Sequence, residues 1–154
     1  MIICNTHQNK KYYLLLEAVV PVFIGALIYI LFRTDSLQMY RWFEYLKISG
    51  FIYSFRDSVN IFPEGYFKIL INTIPNGLWA FSYSAFLLVI WKNEITSHNY
   101  YYFIFIPIIA VMSEFMQLFG IVSGTFDILD VISYAFGSIL PFAIHYQKIK
   151  INIR

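Results

Sequence analysis

The chain has 154 residues, 59% of them hydrophobic and 21% aromatic, and only 13% carry charge, against roughly 25% in a soluble domain. That deficit excludes a sizeable water-soluble domain and reads as an integral membrane protein. The net charge of +2 is small and scattered, which excludes a nucleic-acid surface. A single cysteine, Cys4, makes neither an internal disulfide nor a metal site by itself and reads as a spare thiol.

The first apolar run, from about Tyr13 to Phe32, is long enough to cross a hydrocarbon core of roughly 30 Å. It is followed by FRTD rather than a small-x-small cleavage site, so it is expected to stay as an anchor. Glu17, near one end of this span, is expected to snorkel toward the cytoplasm.

A long external loop follows, over residues 33–74. Within it, LQMYRWFEYLKI (Leu37 to Ile48) sets Met39, Trp42, Phe43 and Leu46 on one helical face and Arg41, Glu44 and Lys47 around the other. This pattern predicts an amphipathic helix lying on the outer leaflet. Pro63, Gly65, Pro75 and Gly77 then punctuate the return to the membrane.

Three further spans are expected: from Pro75 or Gly77 to Trp91, from Tyr100 to Phe119, and from Phe126 to Tyr146. The second is short, which puts Pro75 and Asn76 in the interface or starts the helix earlier. The fold expected is therefore all-α: a polytopic four-helix transmembrane bundle with an interfacial helix in its first loop. Trp42, Trp79 and Trp91 read as belt residues.

Orientation follows from the basic residues in the short flanks. Lys10 and Lys11 precede the first span, Lys92 separates the second from the third, and Lys148, Lys150 and Arg154 follow the fourth. The turn from Gly120 to Thr125 has none, which predicts both termini in the cytoplasm. The bases of the long first loop count for less in this rule, and its acids nearly offset them.

Three acids stand out at the edges of the last two apolar runs: Glu114, Asp127 and Asp130. In this topology Glu114 lies about 9 Å below the external turn and Asp130 about 6 Å, so they reach similar depth on antiparallel helices. Glu114 and Gln117 are three residues apart, and Asp127, Asp130, Tyr134 and Gly137 recur at helical spacing, so each set forms a stripe. Carboxylates are costly against lipid, and both stripes are expected to face the bundle interior. Gly137 would let another backbone approach closely.

A plainer assignment competes with a ligand site. Asp127 or Thr125 can cap the fourth helix, with Asp130 as a reciprocal partner, and Glu114 can be a hydrogen-bonded acid that joins helices. Arg33, Arg56 and the outward helix amino termini could attract an anionic headgroup, or the arginines could simply anchor at the interface. His7, His98 and His145, with Cys4, map across the bilayer from the acids, which argues against a Ser/His/Asp or Cys/His site and against zinc. No cofactor is expected; a weakly held Mg or Ca ion on oxygen ligands is the one metal that suits the acids.

At these residues the chain resembles the VanZ-like family of small bacterial membrane proteins, associated with teicoplanin resistance. Glu114 and Gln117 match its E-x-x-Q, Phe126, Asp127 and Asp130 its F-D-x-x-D, and Gly137 its following glycine. IPNGLW (Ile74 to Trp79) is similar to a local variant of the same family. Gly124 or Thr125 stands where the family has an arginine, and Tyr134 where it has an asparagine. The resemblance implies a protein of the bacterial cytoplasmic membrane and adds to three functional readings. In the first, a polar pocket formed by Glu114, Gln117, Asp127, Asp130 and Tyr134 binds an envelope ligand, either a lipid-linked cell-wall precursor or a glycopeptide. In the second, Glu114 and Asp130 share a proton in a membrane-embedded hydrolase or transferase. In the third, the protein is a structural accessory subunit. The lipid bilayer is a partner in all of them.

Overall fold

From Ile3 to Phe32 the chain forms one helix, α1, in the computed structural model, which describes residues 3–33, 38–59 and 65–153, with side chains from Tyr13 onward. Helices α2 (Gln38–Tyr45), α3 (Ser49–Val59) and α4 (Gly65–Ile90) follow, then strand β1 (Glu94–Thr96) and helix α5 (Tyr100–Leu118). Helix α6 (Ile128–His145), a 3-10 turn (Tyr146–Lys148) and strand β2 (Lys150–Asn152) complete the order. Among the described residues, four helices are long and apolar enough to cross a membrane: Tyr13–Phe32 within α1, then α4, α5 and Ile128–Lys148. By length and composition this is a multi-pass membrane protein.

Of the two expectations for the second span, the earlier start holds. It begins at Gly65, where φ is +54°, and runs for 26 residues, so Pro75 lies inside it. Proline has no N–H to give the carbonyl four residues back, here Ile71, and its ring crowds that turn. The next two carbonyls of the same turn are bonded from neighbouring segments: Arg33 Nη2 donates to Asn72 O at 3.1 Å and Ser133 Oγ donates to Thr73 O at 2.9 Å. Pro21, Pro107 and Pro141 likewise sit inside the other three spans, which a helix in lipid tolerates when its neighbours satisfy the freed groups.

The segment expected as one external loop is thus largely helical, with α3 and the first turns of α4 occupying much of it. A helix, α2, lies within the segment from Leu37 to Ile48 and stops before Lys47 turns left-handed at φ 58°; Leu37 and Pro63 lie outside the described residues. Its buried residue is Tyr40, at 2% exposure, while Trp42 and Leu46 on the face read as apolar are open. Tyr40 donates its hydroxyl to Ile30 O at 2.6 Å, and Arg56 of α3 donates to the same hydroxyl and to Arg33 O at 3.0 Å. The carbonyls that end α1 therefore find partners in α2 and α3.

The chain is mostly helical, as the all-α expectation has it, and two short strands add to it. β1 and β2 pair in parallel, Ile95 opposite Ile151, and Lys150 N donates to Asn93 O at 2.9 Å. Each strand is only three residues long, and they lie far apart in sequence, so no local periodicity marks them. Asn99 closes the turn after β1: its Oδ1 accepts from Thr96 N at 2.8 Å and its Nδ2 donates to Glu94 O at 2.9 Å.

Helix α4 is the centre of the bundle, with α1 along one side and α6 along another, and α5 leans chiefly on α6. Small residues permit these approaches. A Cβ on Gly77 would fall 2.6 Å from Ser133 Oγ, and one on Gly137 would overlap the backbone of Gly77. The expectation that Gly137 admits a neighbouring backbone holds, the neighbour being α4. Large apolar side chains such as Phe23, Phe105 and Phe136 point outward, as a lipid-facing surface requires. Near the strand end, Leu87, Leu88 and Phe103 form a small core.

Candidate functional site

Polar side chains from four helices gather at the end of the bundle where α1 and α5 finish and α6 begins. Glu114, four residues before the end of α5, is 5% exposed and turned into the protein. Its Oε2 is buried and has no hydrogen-bond partner among the described residues. Asp130, in the first turn of α6, stands near enough to act on it electrostatically, and the Asp127 backbone amide also approaches the Glu114 carboxyl.

Asp130 looks toward α4 rather than back to its own helix end. Asn76 and Thr73 face its carboxylate, while its Oδ1 is buried and lacks a partner among the described residues. Tyr134, one turn further along α6, is half-buried and lies within electrostatic reach of Glu114, Asp130, Tyr29 and Arg33.

Arg33 supplies the opposite charge. Its guanidinium lies 5.1 Å from the Tyr29 ring centroid and is anchored to Asn72 O, and its charge is felt at Glu114, Asp130 and Tyr134. Its Nε is buried with no partner among the described residues. Two carboxylates therefore face one guanidinium, and each group keeps one unused polar atom. With both acids ionised the set carries one surplus negative charge, which a proton, a cation or a donor-bearing ligand would balance.

The other candidates take different places. Asp127 is the N-cap of α6, its Oδ1 accepting from Leu129 N at 2.9 Å. Gln117 lies over the turn between α5 and α6, where a Cβ on Gly124 would fall 2.5 Å from its Oε1. Arg56 is engaged with Tyr40 and the end of α1, one layer behind Arg33. Among the described residues no three of His, Cys, Asp and Glu gather as metal ligands.

Sequence reasoning passed over Thr73, Asn76 and Tyr29. A signal existed in INTIPN, which sets Asn72, Thr73 and Asn76 on one helical face once the helix is allowed to run through Pro75. It gave Glu17 no role beyond snorkelling; the Glu17 side chain, 40% exposed, also sets its Oε2 2.6 Å from Nε2 of His145, which is 4% exposed, at the opposite end of the bundle. A buried imidazole needs a partner, and α1 offers this carboxylate as the chain passes the end of α6.

No family model, curated protein or solved structure matches the chain.

Proposed function

We propose that this is a VanZ-like protein of the bacterial cytoplasmic membrane that holds the polar part of a cell-envelope ligand between Glu114, Asp130 and Arg33. Both termini lie in the cytoplasm, the cluster lies near the outer face, and α2 rests on the outer leaflet as an interfacial helix. The observation that carries this reading is the unpartnered Oε2 of the deeply buried Glu114, with a second orphaned carboxylate oxygen on Asp130, whose charge reaches it. Buried polar atoms are ordinarily satisfied, and several left open at one point mark a place that something else completes. Tyr134 and Asn76 border the same space and would orient the ligand. The absence of an arginine at Gly124 or Thr125 is offset here by Arg33, which brings positive charge from α1.

The test is binding of a lipid-linked cell-wall precursor and of a glycopeptide to purified protein in detergent. Glu114→Gln should weaken binding of the true ligand roughly ten- to hundredfold, the equivalent of one charge-assisted hydrogen bond, with the helical spectrum unchanged. Unaltered binding of both ligands by Glu114→Gln would refute the proposal. One observation favours a structural reading for part of the cluster: Asp127 is already committed to capping α6. Under a purely structural role, Glu114→Gln would lower stability instead of ligand affinity.

A further inference from the structure

Past the polar cluster the seam between α1 and α4 is closed by Gly25, Tyr29 and Trp79 and then opens into an apolar groove. On α1, Ala18, Val22, Gly25, Tyr29 and Arg33 recur every three or four residues and form one stripe. On α4, Asn72, Asn76, Trp79, Tyr83 and Phe86 do the same. The stripes run antiparallel and meet in register. Arg33 bonds to Asn72 O at 3.1 Å, Tyr29 and Trp79 have ring centroids 5.3 Å apart, and a Cβ on Gly25 would fall 2.7 Å from Trp79 Nε1.

Beyond Trp79 the helices part around a groove of about 340 Å³, lined by Ala18, Val22 and Phe23 on one side and Trp79, Ser82 and Phe86 on the other. Val22, Phe23 and Phe86 remain exposed, so the groove opens sideways to the bilayer. From Asn72 to Phe86 the seam spans about 21 Å, more than half of a hydrocarbon core about 30 Å thick. A polar end and an apolar trough about 10 Å long, from Trp79 to Phe86, thus lie on one line, with Tyr29 and Trp79 between them.

We propose that the ligand of the polar cluster is a lipid whose headgroup carries phosphate and hydrogen-bond donors, with its chain lying in the α1/α4 groove. This rests on the reading of the cluster as a binding site and names the ligand class. Charge complementarity selects it. Arg33, with its unused Nε, suits a phosphate oxygen, and the orphaned oxygens of Glu114 and Asp130 suit an ammonium or hydroxyl donor on the same headgroup. A ligand with phosphate alone would meet two carboxylates, and one without a chain would leave the trough unused.

The experiment uses the full chain in vesicles with two probes of identical photoactivatable acyl chains. Phosphatidylethanolamine has N–H donors, and phosphatidylcholine has none. The expected result is labelling of the segments around Val22 and Ser82, with ethanolamine lipid favoured roughly tenfold, as one charge-assisted hydrogen bond implies. Val22→Trp should fill the groove and suppress labelling by both probes, and Ala18→Leu serves the same purpose if the bulkier variant does not fold. Glu114→Gln should keep the labelling and abolish the preference.

Labelling indifferent to both groove variants would overturn the groove while leaving the cluster reading standing. Groove labelling with no headgroup preference in the unaltered protein would show ordinary annular lipid, and the proposal fails. A preference that survives in Glu114→Gln would remove the cluster from recognition and take the proposed function with it.

Discussion

Gly137 on α6 meets the backbone of Gly77 on α4 with no room for a methyl group between them. The contact lies a little below the polar cluster and sets how closely the two helices that carry Asn76 and Asp130 approach. Lipid tails are as apolar as leucine, so burial of greasy surface does little to hold spans together, and close backbone packing carries the association. Gly137→Ala is expected to destabilise the protein by about 1–3 kcal/mol through overpacking, measured by denaturant unfolding in mixed micelles. Gly50 in α3 provides the contrast. A Cβ there would meet nothing within 4 Å, and the residue lies inside a helix, so Gly50→Ala should stabilise by about 0.5–1 kcal/mol.

Arg33 both clamps α1 to α4 and opposes two buried acids. Arg33→Gln should therefore cost about 1.5–3 kcal/mol, the range for a hydrogen bond from a charged group. If charge balance is part of the loss, adding Glu114→Gln to that variant should recover some of the stability, which the same unfolding measurement reads. A double variant weaker by the full sum of the two single changes would show that Arg33 acts only through its bond to Asn72.

Asp127 ends the turn after α5 and begins α6. Asp127→Ala removes the acceptor for Leu129 N and should cost about 0.5–2 kcal/mol, whereas Asp127→Ser keeps a capping oxygen and should restore most of it. Hydrogen exchange at the first turn of α6 would localise the effect.

Glu17 and His145 join α1 to the last residue of α6 at the strand end. A double-mutant cycle of Glu17→Gln and His145→Ala should give a coupling of about 0.5–3 kcal/mol. Additive effects would mean that the 2.6 Å contact contributes nothing to stability.

Where the sequence was readable, a local physical rule was at work. Long apolar runs mark the spans because a helix in lipid must be both apolar and self-satisfied, and Asp127 caps α6 as its type and position suggest. Glu114 could be picked out as interior because a carboxylate within an apolar run has few places to go. Pro75 left the start of the second span open for the same local reason: a proline ordinarily ends a helix, and here the helix runs through it.

The sequence by itself determined that this chain is built of four apolar runs long enough to cross a membrane and that Glu114 faces inward, since each follows from hydropathy and helical period within one segment. Only the tertiary structure decided what meets that acid and its neighbour Asp130. That α4 is the central helix, that Asn76 and Thr73 confront Asp130, that Arg33 comes from the far end of α1 as counter-charge, and that Glu17 finds His145 all depend on which helix faces pack together. Such contacts join residues dozens of positions apart, and they are fixed by pairings of small-residue surfaces, such as Gly77 against Gly137, in which neither segment names its partner.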